Sequence, residues 1–356
     1  MNAVNTSILP ALLLGVFGGL ALLVAMFYSL RSAQIVIAVM LFLASISITV
    51  DYFDRLYYTW LLPIQAYRSQ LFGLFGVVLL VGCIPRLKFL SARQISGHAW
   101  ALMLIGLYAG LMRMYHVGGG DGLVSMLFVL ATILPLALVL PAIISNEDGV
   151  QRVLRLIIWA ALFWVAAVAV QFIINRRLIV LGANNRLTGL IGNCNQAATM
   201  LSVVAVCSLW LSLNGRRASR LFYASVTGLL VLLLIWTGSR GGAGMFVIGT
   251  AAVFYSRAGR AVLLLPVFAA IFFLIYKLAG AANIEINPER LTSLSNTRAA
   301  PWASLLASGL ANPVVGAGPE GIEGSENSYL LGFASYGLGM LLLILAFVVV
   351  VVVQCT

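Results

Sequence analysis

The stretch VLRLIIWAALFWVAAVAVQFII, residues 153–174, decides the fold class because Arg155 is its only charged side chain. A helix rises about 1.5 Å per residue and needs about 20 mostly apolar residues to cross about 30 Å of hydrocarbon. The stretch therefore predicts a membrane-spanning helix. The whole chain shares this character, with 62% apolar and 9% charged residues and a mean hydropathy of +1.07. Its polar side chains would not cover the surface of a water-soluble domain.

Ten further segments have the same apolar pattern, so the sequence predicts an all-α, polytopic membrane bundle of about eleven transmembrane helices. Together with residues 153–174, the eleven segments run over residues 8–28, 33–50, 69–84, 99–115, 123–144, 153–174, 197–213, 221–237, 241–255, 261–280 and 329–353. The third and ninth are short for a crossing. The first segment could instead be a signal peptide, but its length and the following Arg31 favour a retained helix.

This pattern divides the chain into helices 1–10 over residues 1–280, a long outer loop over 281–327 and a final helix over 328–356. The loop itself predicts a short surface helix. Asn296 or Thr297 would cap it near Arg298, apolar residues recur at helical spacing, and Asn312-Pro313 would end it. It would lie on the bilayer surface.

Composition and charge exclude several other classes. The 34 Gly, 10 Pro and four scattered Cys fit neither a collagen-like nor a disulfide-framed secreted protein. The net charge of +11 fits basic membrane loops, so we expect no nucleic-acid partner. Basic clusters at 86–93 and 216–220 resemble cytoplasmic anchors, which predicts that odd-numbered connections are cytoplasmic and even-numbered ones are outside.

Three clusters of polar residues interrupt the apolar pattern, and all three fall in even-numbered connections. The first is RLTGLIGNCNQ, 186–196, with Asn193 and Asn195 at a helix entrance. The second is TGSRGG, 237–242, with Ser239 and Arg240 among small residues. The third is the long outer loop, which contributes Arg290, Arg298, Glu326, Asn327 and Tyr329. Polar groups at such positions are costly, so we expect one functional site on the outer face. We expect its substrate-binding residues to be Asn193, Asn195, Ser239, Arg290, Arg298, Asn327 and Tyr329.

Arginine suits an anionic ligand at this site. A guanidinium stays protonated and grips phosphate with two parallel hydrogen bonds. A lipid diphosphate is the natural ligand at a membrane surface, and helix N-termini would add N–H groups that point at it. Glu326 would then accept a proton from an attacking hydroxyl. This combination predicts glycosyl transfer from a lipid diphosphate, with Arg186, Arg240 and Glu326 as catalytic residues.

Three other motifs fail in context. The string GAGPEG, 316–321, matches a dinucleotide-binding pattern but has no preceding strand and contains Pro319. The four Cys lack metal-ligand spacing, so we expect no metal and no cofactor. A Ser/His/Asp triad would use His116 and Asp121, but no G-x-S-x-G elbow exists.

The order of the motifs resembles the O-antigen ligase and Wzy-type polymerase superfamily of bacterial membrane enzymes. The resemblance rests on an arginine before T-G-x-x-G-N-x-N-Q, then T-x-S-R-G-G, then R-x-x-x-W, N-P-x-x-G-x-G and N-S-Y-L, and it covers residues 186–330. It implies a metal-independent, inverting glycosyltransferase of the inner membrane that acts at the periplasmic face on undecaprenyl diphosphate-linked glycan. Residue by residue, it implies that Arg186, Arg240 and Arg298 hold the diphosphate and that Asn195 is the amide of the first motif.

Two departures separate this chain from the family pattern. Glu326 stands where the ligases carry a histidine, which favours a polymerase that joins two lipid-linked repeat units. The chain also stops at Thr356, where relatives continue, as expected of a truncated form. The implied partners are the lipid-linked donor and acceptor and membrane lipid, with a chain-length regulator or a flippase as further candidates. A ligase that transfers glycan to lipid A core or protein, and a membrane transporter, remain the alternatives.

Overall fold

The computed structural model describes residues 30–46, 49–50, 56–57, 64–65, 67–87, 97–143, 147–181, 185–215, 217–255, 299–318, 322 and 328–355. Within these residues the protein is mostly helical. The helices are α1 Leu30–Ala44, α2 Arg68–Leu87, α3 Gly97–Val117, α4 Gly119–Ile143, α5 Glu147–Asn175, α6 Cys194–Asn214, α7 Arg217–Thr237, α8 Arg240–Tyr255, α9 Ala299–Ala311 and α10 Ser328–Cys355.

Short strands and 3-10 turns complete the described elements. One antiparallel pair joins β1 Thr49–Val50 to β2 Leu56–Tyr57. A second pair joins β3 Val180–Leu181 to β4 Arg186–Leu187, with Leu181 opposite Arg186. The 3-10 turns cover Arg176–Leu178 and Gly189–Ile191.

Four of the described helices, α5, α6, α7 and α10, are long and apolar enough to cross a membrane. Their charges lie near the ends, as Arg152 and Arg155 do in α5. Large apolar side chains face outward, including Ile173, Leu221 and Ile248 at 83%, 71% and 72% exposure. Such a surface is stable against lipid and costly against water. The structure thus supports a helical membrane protein, while the count of eleven crossings stays a prediction.

Most predicted apolar segments correspond to observed helices, but the second, 33–50, is helical only to Ala44 and ends in strand β1 at Thr49–Val50. The first and tenth segments lie outside the described residues. The third becomes α2, with 20 residues, and the ninth becomes α8, with 16. At about 1.5 Å per residue, α8 is about 24 Å long and so falls short of a full crossing.

The described chain separates into two compact units. Unit 1 comprises Met1–Ala33, Ser69–Asn146 and Leu294–Thr356, and unit 2 comprises Gln34–Arg68 and Glu147–Ser293. These units are defined by contacts within the chain, whereas the predicted domains at 1–280, 281–327 and 328–356 are defined by position relative to the membrane. The units therefore do not test the predicted domains.

Unit 2 is built around α6, which packs against α5, α7 and α8. Small buried residues on α6, such as Ala198 and Ala205, allow close approach. Hydroxyl groups join the helices: Ser202 Oγ donates to Gly242 O of α8 at 2.7 Å, and Ser208 Oγ donates to Tyr223 O of α7 at 2.8 Å. Small residues and interhelical hydrogen bonds are what hold helices together in lipid.

Unit 1 contains an α3–α4 hairpin and packs α10 against both α3 and α9. The predicted loop helix exists as α9, although its proposed caps and Arg298 lie outside the described residues. Leu305 is fully buried, while Trp302, Leu306 and Leu310 are 37%, 44% and 63% exposed. Its predicted position on the bilayer surface stays a prediction.

The last helix is broken at Gly337, where the sequence predicts one continuous segment. Gly337 has φ 79° and ψ −173°, a region that only glycine occupies readily. The segment that follows α9 lies across the break: Ala317 N donates to Ala334 O at 2.8 Å, and Leu338 N donates to Pro313 O at 2.8 Å. The backbone groups released by the break are thus bonded within the protein, as a membrane helix requires.

Candidate anion-binding site

The first polar cluster forms a compact turn that leads into α6. Thr188 N and Gly189 N both donate to Ile179 O, at 2.9 and 3.1 Å, which anchors the turn to the β3–β4 pair. The Asn193 side chain then caps α6, because its Oδ1 accepts hydrogen bonds from Asn195 N at 2.8 Å and Gln196 N at 3.3 Å. Asn193, predicted to bind substrate, therefore uses its side-chain oxygen to start the helix.

A buried tryptophan forms the floor of this turn. Trp164 of α5 is fully buried, and its indole N–H donates to Ser45 O at 2.8 Å. Gly189 has φ +56°, and a Cβ at this position would overlap the six-membered ring of Trp164. The backbone at position 189 therefore lies directly against the Trp164 ring, and only glycine fits there.

The second polar cluster is the tight connection between α7 and α8, and Arg186 is bonded directly to it. Arg186 Nε donates to Thr237 O, the last carbonyl of α7, at 2.6 Å. Trp236 Nε1 donates to Asn185 O at 2.9 Å, which makes a second link between the two segments. The structure therefore brings together two motifs that are about fifty residues apart in sequence.

A side-chain hydrogen bond joins the starts of α6 and α8. Ser239 Oγ donates to Asn195 Oδ1 at 3.1 Å, and Gly242 N donates to Ser239 Oγ at 3.4 Å. Ser239 is only 4% exposed, so its hydroxyl holds the two helix ends together and is shielded from solvent. We name the group of Arg186, Asn193, Asn195, Ser239 and Arg240 the α6–α8 cluster.

The α6–α8 cluster has a positive electrostatic character from three sources. Two helix N-termini meet there, and each carries the positive end of a helix dipole, equivalent to about half an elementary charge. Arg186 is partly buried, and Arg240 is exposed at the first position of α8. No Asp or Glu occurs anywhere from Arg186 to Arg240. These segments therefore contain no carboxylate to compete with an anionic ligand for the two guanidinium groups.

The remaining predicted site residues come from the predicted outer loop and the start of α10. Arg290, Arg298, Glu326 and Asn327 lie outside the described residues. Tyr329 is 44% exposed near the start of α10, in unit 1.

The roles of some residues that shape the site could not be predicted from the sequence. Trp164 is one of several aromatic residues in an apolar span, and Thr237 acts through its backbone carbonyl. Gly189 stood within the first motif, but its steric role depends on a residue of a different helix.

Comparisons of the chain with models of protein families, with curated proteins and with solved structures found no match. The α6–α8 cluster must therefore be interpreted from its own geometry.

Proposed function

We propose that this chain is a bacterial polysaccharide polymerase that joins undecaprenyl diphosphate-linked repeat units at the periplasmic face of the inner membrane. The observation that supports the proposal most is that Arg186 bonds to the α7–α8 connection next to Arg240, while Ser239 joins the N-termini of α6 and α8. Fixed cations and helix N–H groups in one place favour a phosphate ligand. Apolar helices around the cluster favour a ligand with a lipid tail.

The proposed reaction is a single displacement. A hydroxyl at the non-reducing end of the acceptor forms a bond to the anomeric carbon of the donor, and the bond from that carbon to the diphosphate oxygen breaks. The lipid diphosphate leaves with additional negative charge, which Arg186, Arg240 and Arg298 would stabilise. Glu326 would take the hydroxyl proton. The proposed substrate-binding set is completed by Asn193, Asn195, Ser239, Arg290, Asn327 and Tyr329.

The helix N-termini contribute most at the moment of bond cleavage. Negative charge develops on the leaving oxygen in the transition state. A preorganised positive site therefore stabilises the transition state more than the ground state. In the proposed site, the Arg186–Thr237 and Asn195–Ser239 bonds would hold the donors in place before substrate arrives.

The test is polymerisation by the purified protein supplied with lipid-linked repeat units and no other acceptor. We expect a ladder of products with wild type. Arg240→Ala should lower the rate by about 100-fold to 1,000-fold, the typical effect of removing one transition-state hydrogen-bond donor. Arg155→Ala is the matched control, because Arg155 lies at the opposite end of α5 and bonds only Gln151 among the described residues.

Three outcomes separate this proposal from its rivals. A ladder that disappears in Arg240→Ala and persists in Arg155→Ala supports the polymerase. Glycan transferred to lipid A core or to protein, without a ladder, indicates a ligase. Movement of lipid-linked glycan across vesicles, with no new glycosidic bond, indicates a transporter and contradicts the proposal.

A further inference from the structure

A histidine in unit 1 is hydrogen-bonded to the segment that also bonds to α10 at its break. This segment, 312–318, is the N-P-x-x-G-x-G motif of the sequence, and its role is not explained by the α6–α8 cluster. His116, near the C-terminus of α3, has Nε2 at 2.8 Å from Val315 O. A carbonyl oxygen can only accept, so Nε2 carries the hydrogen. In the neutral ring, Nδ1 is then an acceptor.

Nδ1 receives no hydrogen bond from any described residue. Gly318 lies beside the ring, because a Cβ at this position would lie 3.2 Å from both Nδ1 and Cγ of the imidazole. A side chain at position 318 would therefore fill the space beside Nδ1, and glycine leaves it vacant. The following turn, Gly118–Gly120, also has open space at all three Cβ positions.

Two neighbours on α3 add chemistry suited to a sugar. Arg113, one turn before His116 on the same side of the helix, has a buried Nε without a hydrogen-bond partner in the described part of the chain. A buried donor of this kind is costly unless water, a ligand or another part of the chain accepts from it. Tyr115 is 66% exposed, and its ring meets His116 edge to face at 5.3 Å. An exposed aromatic ring offers an apolar face and a polar hydroxyl to a pyranose.

We propose that Arg113, Tyr115, His116 and Gly318, the α3–α4 cluster, bind the glycan acceptor. His116 Nδ1 accepts a hydrogen bond from a sugar hydroxyl, Arg113 donates one to a sugar oxygen, and the Tyr115 ring covers the sugar face. The α3–α4 connection is even-numbered, so the predicted topology assigns it to the outer side. The assignment of the ligand as a glycan rests on the proposed function.

Two substitutions of His116 separate the roles of its nitrogens. In His116→Gln the side-chain amide takes the position of Nε2 and still donates to Val315 O, but nothing replaces Nδ1. In His116→Asn a side-chain oxygen takes the position of Nδ1, and the contact to Val315 is lost. With soluble repeat-unit oligosaccharide as acceptor and lipid-linked donor held fixed, we expect His116→Gln to raise the acceptor KM about tenfold, the effect of one lost hydrogen bond, with kcat changed less.

We expect the acceptor KM to be lowest for wild type, higher for His116→Asn and highest for His116→Gln. A purely structural role predicts the reverse order of the two variants, because only His116→Gln keeps the contact to Val315. An acceptor KM for His116→Gln equal to that of wild type, or the reverse order, overturns the inference. If wild type itself makes no polymer, the proposed function fails instead, and the two failures are thereby distinguished.

A second measurement leaves His116 in place and does not depend on the folding of its variants. The chain has two histidines, so His98→Gln makes His116 the only one. Diethyl pyrocarbonate modifies unprotonated imidazole, and mass spectrometry follows the reaction at His116. We expect the free repeat-unit oligosaccharide to slow this modification at least threefold, while maltose at equal concentration does not. An unchanged rate with the oligosaccharide overturns the inference.

Discussion

At the scale of single residues, the site depends on contacts between side chains and distant backbone. Arg186 would be an ordinary membrane-boundary cation without its bond to Thr237 O. That bond uses Nε and so fixes the plane of the guanidinium, which a lysine would not reproduce. The chemistry of Arg186 is therefore set by the position of the α7 C-terminus.

Gly189 is the residue whose replacement should disturb this arrangement most. Gly189→Ala places a methyl group in the Trp164 ring at a positive φ, so we expect a loss of about 2 kcal/mol in the free energy of unfolding and a large loss of polymerisation. Thermal unfolding in detergent measures the first effect. Gly228→Ala on α7 is the control, since no atom lies near its Cβ position, and it should be neutral or slightly stabilising. Equal unfolding temperatures for Gly189→Ala and wild type would contradict the packing described.

Ser239 provides a milder test of the bond between the starts of α6 and α8. Ser239→Ala leaves Asn195 Oδ1 without its donor, and we expect a loss of about 1 kcal/mol in stability and a rate lowered by about tenfold. Ser225→Ala, at an exposed site on α7, should change neither quantity. Polymerisation kinetics and denaturation of both variants make the comparison. Identical kinetics in Ser239→Ala and Ser225→Ala would remove Ser239 from the site.

The residues of the α6–α8 cluster could be predicted from sequence, but their partners could not. A guanidinium or amide at a helix entrance is visible as a polar interruption of an apolar run. The contacts of Trp164 and Thr237 and the burial of Ser239 depend on how α5, α6 and α7 pack. A single sequence does not reveal that packing. The bond from Ser239 to Asn195 could not be predicted from the sequence for the same reason.

At the scale of elements, hydropathy predicted where helices lie and missed where α10 breaks. The apolar run 329–353 has no proline or charge to mark an interruption. The break at Gly337 depends on the segment 312–318, which lies against α10 only in the folded protein. A local pattern cannot predict a distortion that a distant segment stabilises.

Gly337→Ala tests that break. Its Cβ would overlap Val314 O, and its dihedral angles suit only glycine, so we expect a loss of about 3 kcal/mol or an unfolded unit 1. Gly244→Ala on α8, with open space at its Cβ position, serves as the control and should be tolerated. Protease resistance of the two variants in membranes gives the measurement. Wild-type resistance in Gly337→Ala would mean that α10 runs straight.

At the scale of the whole molecule, the proposed periplasmic activity depends on which side of the membrane the clusters face. The predicted topology puts the start of α6 outside and its end in the cytoplasm. Cys194 is partly exposed at the start of α6, and Ser219 follows its end at the start of α7. These two positions therefore report opposite sides.

Labelling with a membrane-impermeant maleimide tests this topology. With the other three cysteines replaced by serine, Cys194 should react in spheroplasts before lysis. In a cysteine-free background, Ser219→Cys should react only after lysis. Labelling of Ser219→Cys and not of Cys194 in spheroplasts would invert the orientation and remove the site from the periplasmic face.

The most direct test of the central claim is the affinity of the full chain for undecaprenyl diphosphate, measured for wild type, Arg186→Ala, Arg240→Ala and the double variant. If both guanidinium groups bind one diphosphate, each single substitution should raise Kd at least about tenfold, and the double variant should depart from additivity by about 0.5–3 kcal/mol. Affinities unchanged by either substitution, or strictly additive losses, would contradict a shared anion site.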